Sequence, residues 1–114
     1  MTTYKRVEVV LLPFPFTDQT GSKRRPAVIL SCDAHNRRRS DVIVAPITSN
    51  LGTGQVDDTH ITDWAVAGLL KPSVVKGVLG SVQQSVIIRT LGTLSNSDIQ
   101  SVEQLFAEIL NLKV

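Results

Sequence analysis

Lys23-Arg24-Arg25-Pro26-Ala27-Val28-Ile29-Leu30 sets cations and a proline directly against a β-branched apolar run. Residues 27–32 therefore read as a strand whose mouth is fixed by the locked φ of Pro26. Lys23, Arg24 and Arg25 stand just before it, beside a turn at Thr20-Gly21-Ser22. Upstream, Val7-Glu8-Val9-Val10-Leu11-Leu12 has the same strand character, with Glu8 as its solvent-facing residue, and Pro13-Phe14-Pro15-Phe16 stops the ladder. Downstream, a polar loop from Asp33 to Asp41 carries Arg37, Arg38 and Arg39 before a third strand, Val42 to Ile47. Two basic runs flanking one strand describe a surface suited to polyanions. The plainer alternative is a solubilising turn, and charge by itself does not choose between them.

The rest of the chain continues in short pieces. Thr48 to Gly54 is rich in hydroxyls and glycine and reads as a turn. Asp57 to Thr62 has extended character, and Asp63 to Gly68 suits a helical turn with Gly68 as its stop. Ser73-Val74-Val75 and Val86-Ile87-Ile88 supply further strand-like runs, with Gly77 and Gly80 marking bends between them. The clearest helix is the last segment. Ser95 stands three residues before Asp98, the capping-box spacing, and Ile99, Val102, Phe106 and Ile109 then form one apolar face widened by Leu105 and Leu110. Short strands without long helices between them argue against a doubly wound parallel sheet. The expected fold is mainly β, a small curled sheet or barrel with a C-terminal helix packed on it.

The 114 residues suit one domain, 1–114, and 42% hydrophobic content is enough for a core. The net charge of +2 hides an asymmetry: residues 1–39 carry eight Lys/Arg against three acids, and residues 40–114 four against seven. Cys32 is the only cysteine, which rules out an intrachain disulfide and a cysteine-rich zinc site. After Ser31 at a strand end it reads as a small, partly buried hydrophobe. No apolar stretch approaches the ~20 residues that cross a bilayer, so a soluble cytoplasmic protein is the expectation.

The chemistry must come from cations and hydroxyls. His35 and His60 are isolated, no paired cysteines or His-Glu-x-x-His occur, and Gly52-Thr53-Gly54 lacks the lysine of a phosphate loop. Arg24 or Arg25 could pair bidentately with a phosphate, and Thr48 or Ser49 could donate a hydrogen bond to it. Such a site suits RNA, which supplies its own nucleophile in the 2′-hydroxyl; DNA lacks that group. Arginine, with a pKa above 12, serves as an electrostatic stabiliser rather than a general acid or base.

Several blocks resemble the MazF/PemK toxin family. They are Glu8 to Phe14, Gly21 to Ser31, Val44-Ala45-Pro46-Ile47-Thr48-Ser49, Leu69 to Val75 and Leu91-Gly92-Thr93-Leu94-Ser95. The Arg-Pro-apolar strand and the Pro-Ile-Thr-Ser block are the most specific. The resemblance implies a small SH3-like barrel (CcdB/PemK-like) with a C-terminal helix, usually a homodimer, that cleaves single-stranded RNA without metal or cofactor. It also implies a cognate antitoxin whose disordered C-terminal tail covers the RNA groove. Arg25 matches the family's catalytic arginine and Thr48 its active-site threonine, while Lys23 and Arg24 border the substrate channel. Ser49 and the run Arg37, Arg38 and Arg39 are expected to assist RNA binding. The stretch Lys76 to Val82 departs from the pattern, since it lacks the acid and arginine that many members carry there. Two other functions fit the same barrel: a noncatalytic nucleic-acid-binding module, and a toxin that inhibits a protein such as a topoisomerase.

Overall fold

Strand β1 (Glu8–Pro13) lies between β2 (Arg24–Ile29) and β7 (Arg89–Thr93), antiparallel to both. The computed structural model describes residues 3–13, 23–51 and 57–113. On the far side of β2 lies β3 (Asp41–Thr48), the longest strand, whose other edge is shared by two partners. Its first half, residues 41–44, pairs with β6 (Gly80–Gln83), and its end, Ile47 and Thr48, pairs with β5 (Ser73–Lys76). Beyond β5 lies β4 (Asp58–Ile61), so the sheet runs β4-β5-β3-β2-β1-β7 with β6 as a branch. This branching curls the sheet, and the mainly β, SH3-like barrel with its C-terminal helix is the architecture observed.

Both faces of the central strands are buried, as their unbroken apolar runs require. Val9, Val28, Ala45 and Ile47 point to one face, where Val102 and Phe106 of α2 (Asn96–Leu110) cover them. Val10, Leu12, Ala27, Ile29, Val42 and Val44 point to the other, closed by Ile87 with Tyr4 and Val82. Each large aliphatic side chain removed from water in this way contributes ~1.5–3 kcal/mol. Helix α2 begins as its sequence dictates: Ser95 Oγ accepts the Asp98 N–H at 3.3 Å. Its apolar face is narrower than the spacing suggests, because Ile109 and Leu110 are 39% and 48% exposed where the helix runs past the sheet.

Five other expectations require correction. β2 starts at Arg24 and ends at Ile29, so Arg24, Arg25 and Pro26 are strand residues rather than a preceding loop. Prolines are tolerated there because the β2–β3 ladder ends at Ala27 opposite Pro46, where missing N–H groups cost little. Val7 lies outside β1 with φ of 63°, held by its N–H to the Ile29 carbonyl at 2.7 Å. The stretch from Asp33 is not a plain loop: Asp33–Arg38 forms a short helix, α1. It has no side-chain cap and no amphipathic period, and it is held by the buried Asn36, which donates to the Ser31 and Tyr4 carbonyls. Cys32, at its start, is exposed rather than partly buried.

The Val86 to Ile88 run is not a strand either. A 3-10 turn spans Gln84–Val86, and the ladder to β1 begins at Arg89. Only Ile87 of that run is buried. The segment after β4 turns tightly and stops at Gly68, as expected. Gly68 has φ of +81°, and the Leu69 N–H returns to the Trp64 carbonyl at 2.9 Å. Among the described residues no helix is long and apolar enough to cross a membrane. The expected turns at 18–22 and 52–54, and the segment from Phe14 to Phe16, lie outside the described residues.

Candidate active site

The β2–β3 register builds the site. The ladder ends at Ala27 with Pro46, and the strand ends beyond it carry Arg25 and Thr48 two residues on, and Arg24 and Ser49 three residues on. All four line one cavity of about 530 Å³ at that end of the sheet. β1 brings in a further cation, because Leu11 pairs with Pro26 on one side and with Arg89 on the other, and Arg89 lines the same cavity. The opposite wall is the segment from Gly68 to Lys71. Backbone contact holds that wall in place: a Cβ on Gly92 would lie 2.6 Å from the Ala67 carbonyl carbon, so only glycine lets β7 approach the turn. Ser73 Oγ donates to the Lys71 carbonyl at 2.9 Å and fixes the wall's far end.

The electrostatics are one-sided. Among the described residues Arg24, Arg25, Lys71 and Arg89 line the cavity, and no acidic one does. Among the described residues the ion pairs are Arg6 with Glu103 and Arg39 with Asp41, so none of the four cations has a carboxylate partner. Arg25 is half-buried, and its Nε is buried with no hydrogen-bond partner. A buried donor left unsatisfied costs ~1–3 kcal/mol, so such a group marks a place where an acceptor is wanted. Thr48 Oγ1 accepts the Asn50 N–H at 3.1 Å, which fixes the hydroxyl and leaves its own hydrogen free to be donated. The arrangement can hold a phosphate between a guanidinium and a hydroxyl. Among the described lining residues there is no His, Asp or Glu.

The other expected residues fall elsewhere. Lys23 is exposed ahead of β2 and is not part of the cavity wall. Arg37, Arg38 and Arg39 line a separate cavity at the opposite end of β3. Arg39 is engaged there, its Nε donating to Asp41 at 2.8 Å. That contact and the Ser81 hydroxyl lower the Asp41 carboxyl to about 2. Arg89 and Lys71 were not singled out from sequence. Arg89 directly follows the Val86 to Ile88 run, and only its register with β1 reveals that it faces the site. Among the described residues no group of three or more His, Cys, Asp or Glu is placed to hold a metal ion.

Residues 5–110 match the family described as the PemK-like, MazF-like toxin of type II toxin-antitoxin systems. Solved structures show the same fold. The Mycobacterium tuberculosis toxin MazF-mt6 is 23% identical with a TM-score of 0.75, over 94% of this chain and 99% of that one. A MazE-MazF structure from Deinococcus radiodurans is 20% identical with a TM-score of 0.76, over 99% and 100%. An endoribonuclease in complex with its cognate antitoxin, from a mycobacterial species, is 18% identical with a TM-score of 0.77, over 100% and 99%. No match was found among curated protein sequences.

Proposed function

The chain belongs to the PemK-like, MazF-like toxin family of type II toxin-antitoxin systems, and from that premise we propose that it is a metal-independent endoribonuclease acting on single-stranded RNA. The observation that carries this reading is Arg25. It lines a cavity with Thr48 that, among the described residues, holds cations and no acid, while its buried Nε lacks an acceptor. A phosphodiester supplies that acceptor.

In this reading the substrate's 2′-hydroxyl attacks the adjacent phosphorus. The new O–P bond closes a 2′,3′-cyclic phosphate, and the bond to the 5′-oxygen breaks. The 2′-hydroxyl proton passes to solvent water, and water protonates the departing 5′-oxyanion, which leaves as the 5′-hydroxyl. Arg25 neutralises charge on the phosphorane, the Thr48 hydroxyl orients a non-bridging oxygen, and Arg24, Lys71 and Arg89 attract the flanking phosphates. Ser49 and Lys23 add to that attraction at the margin. The selectivity for RNA over DNA follows from the nucleophile.

The partners proposed with this activity are a second copy of the chain and an antitoxin with a disordered, acidic C-terminal tail that competes for the cationic cavity. One of the similar structures is an endoribonuclease in complex with its cognate antitoxin and another a MazE-MazF complex, which supports that reading. The test is incubation with a mixed RNA pool in EDTA, followed by end-group analysis. Discrete cuts leaving 2′,3′-cyclic phosphate and 5′-hydroxyl ends are expected. Retardation of RNA without cutting would instead make the chain a binding module.

A further inference from the structure

The cavity at the start of β3, about 560 Å³, is built by a hydrogen-bonded frame. Gln84 Nε2 donates to the Asn36 carbonyl at 2.9 Å and to the Arg39 carbonyl at 3.0 Å, and its Oε1 accepts the Tyr4 N–H at 3.2 Å. Asn36, 1% exposed, ties the Tyr4 and Ser31 carbonyls together at 3.1 Å each. The end of α1, the N-terminal segment and the 3-10 turn are thereby joined around one opening. The frame takes up the Asn36 and Gln84 amides, and Asp41 holds Arg39. The other described residues facing the opening include Arg37, Arg38, the hydroxyls of Thr3, Ser40 and Ser85, and Gln83. Among the described residues Arg37 and Arg38 are exposed and in no ion pair, and no acid lines the cavity.

One stretch of chain contributes to this cavity and to the Arg25 cavity at the other end of β3. Ser85 and Ile87 line the first, and Arg89 lines the second. Two residues of chain reach at most ~7 Å, so Ile87 and Arg89 bring the two walls together. The chain that carries the wall from one to the other exposes Val86 (45%) and Ile88 (41%), an apolar ridge between two cationic basins. Phosphates need the basins, and bases, with their apolar faces, can lie on the ridge. The last turn of α1 would explain a basic residue near its carbonyls. It does not explain a hydroxyl-rimmed cavity whose wall runs on, within two residues, to a cation of the site.

We propose that Arg37 and Arg38 form a remote phosphate subsite for the same RNA strand that is cut at Arg25, reached across the Val86–Ile88 ridge. The proposal rests on the RNA reading above. Its ligand is a backbone phosphodiester, and a free nucleotide would present the same phosphate chemistry.

The test measures binding of 2′-O-methyl oligonucleotides, which cannot be cut, at lengths of four and ten nucleotides over a range of salt. Arg37→Gln with Arg38→Gln should weaken the ten-mer about 10-fold and flatten its salt slope by roughly 1.4, the release from two phosphates of a single strand. The four-mer, confined to one basin, should be unaffected. Ser85→Glu, on the opposite wall, should reproduce the loss with an unchanged melting temperature. Equal effects on both lengths, or on neither, would overturn the subsite. So would saturable binding of 5′-AMP at Arg37 and Arg38 that the ten-mer fails to displace, since that describes an independent nucleotide pocket. Cleavage of natural RNA by the unaltered chain is read separately. Cutting without a length effect removes the subsite and leaves the nuclease, whereas a length effect without cutting removes the nuclease and leaves the subsite.

Discussion

Arg25 of β2 and Thr48 of β3 line one cavity, each two residues beyond the pair Ala27 and Pro46 that ends the ladder between those strands. The prolines at 26 and 46 end the hydrogen bonding, and the strands' ends line a cavity that neither strand fills. The position of each side chain is therefore set by a sheet register rather than by a loop.

Replacing Arg25 with Ala should reduce cleavage by roughly 100-fold, the loss of a transition-state donor worth ~3 kcal/mol. Folding should survive, because the change removes a buried donor that has no partner. Arg25→Lys should remain well below the unaltered chain, since an ammonium lacks the guanidinium fork. Single-turnover cleavage alongside thermal melting checks both, and near-normal cutting by folded R25A would remove Arg25 from the site.

Thr48 is tested in its proposed phosphate contact and in its turn contact by one substitution. Its oxygen holds the Asn50 N–H, so Thr48→Val should lose about 1 kcal/mol of stability as well as cutting rate. Thr48→Ser keeps the hydroxyl and should restore both. If T48V loses stability but cuts normally at a temperature where it is folded, the hydroxyl serves only the turn.

The strands with strong apolar runs were legible because burial on both faces leaves little ambiguity, and α2 was legible from its cap and period. What sequence could not show was pairing. Arg89 becomes a site residue only through Leu11, and Arg37 to Arg39 separate from Arg25 only because β3 carries them to opposite ends. Helix α1 was missed for a different reason. Its stability comes from the long-range bonds of Asn36 to Tyr4 and of Gln84 to Asn36, and no local spacing encodes those.

Gly68 should tolerate nothing larger. A side chain at its φ of +81° is strained by ~1–3 kcal/mol, and its Cβ would also strike the Leu91 carbonyl. Gly68→Ala should therefore lower the melting temperature by roughly 5–20 °C for a chain of this size. Because residues 68–71 form the cavity wall, residual activity should fall more than the folded fraction does. A melting temperature within a degree of the original would contradict this packing.

Asp41 makes stability depend on acid pH. Its carboxyl is held at about 2, below the usual 3.8, first by the Arg39 hydrogen bond and then by the Ser81 hydroxyl. The folded state thus favours the ionised form. The resulting stability is complete above pH ~4 and is lost as the pH falls toward 2. Asp41→Asn should flatten that part of the pH–stability curve, and urea titrations across pH 2 to 5 would reveal it. An unchanged acid limb would mean that the Arg39 contact contributes nothing in solution.

Asp98 joins α2 to the wall of the site. At 2% exposure, its carboxylate accepts the N–H groups of Thr62 at 2.9 Å and Asp63 at 2.8 Å, and the Ser95 hydroxyl at 3.2 Å. Thr62 and Asp63 open the turn that ends at Gly68, so this carboxylate ties the helix start to the segment bearing Leu69 to Lys71. Asp98→Ala strands two backbone donors and should cost ~2–5 kcal/mol. Asp98→Asn preserves the shape and one acceptor and should cost less. Hydrogen exchange provides the decisive reading: protection at Thr62 and Asp63 should collapse in D98A, while that of Val9 and Val28 falls only with global stability. Uniform loss across all four amides would mean that the carboxylate supports the fold as a whole rather than the turn behind the site.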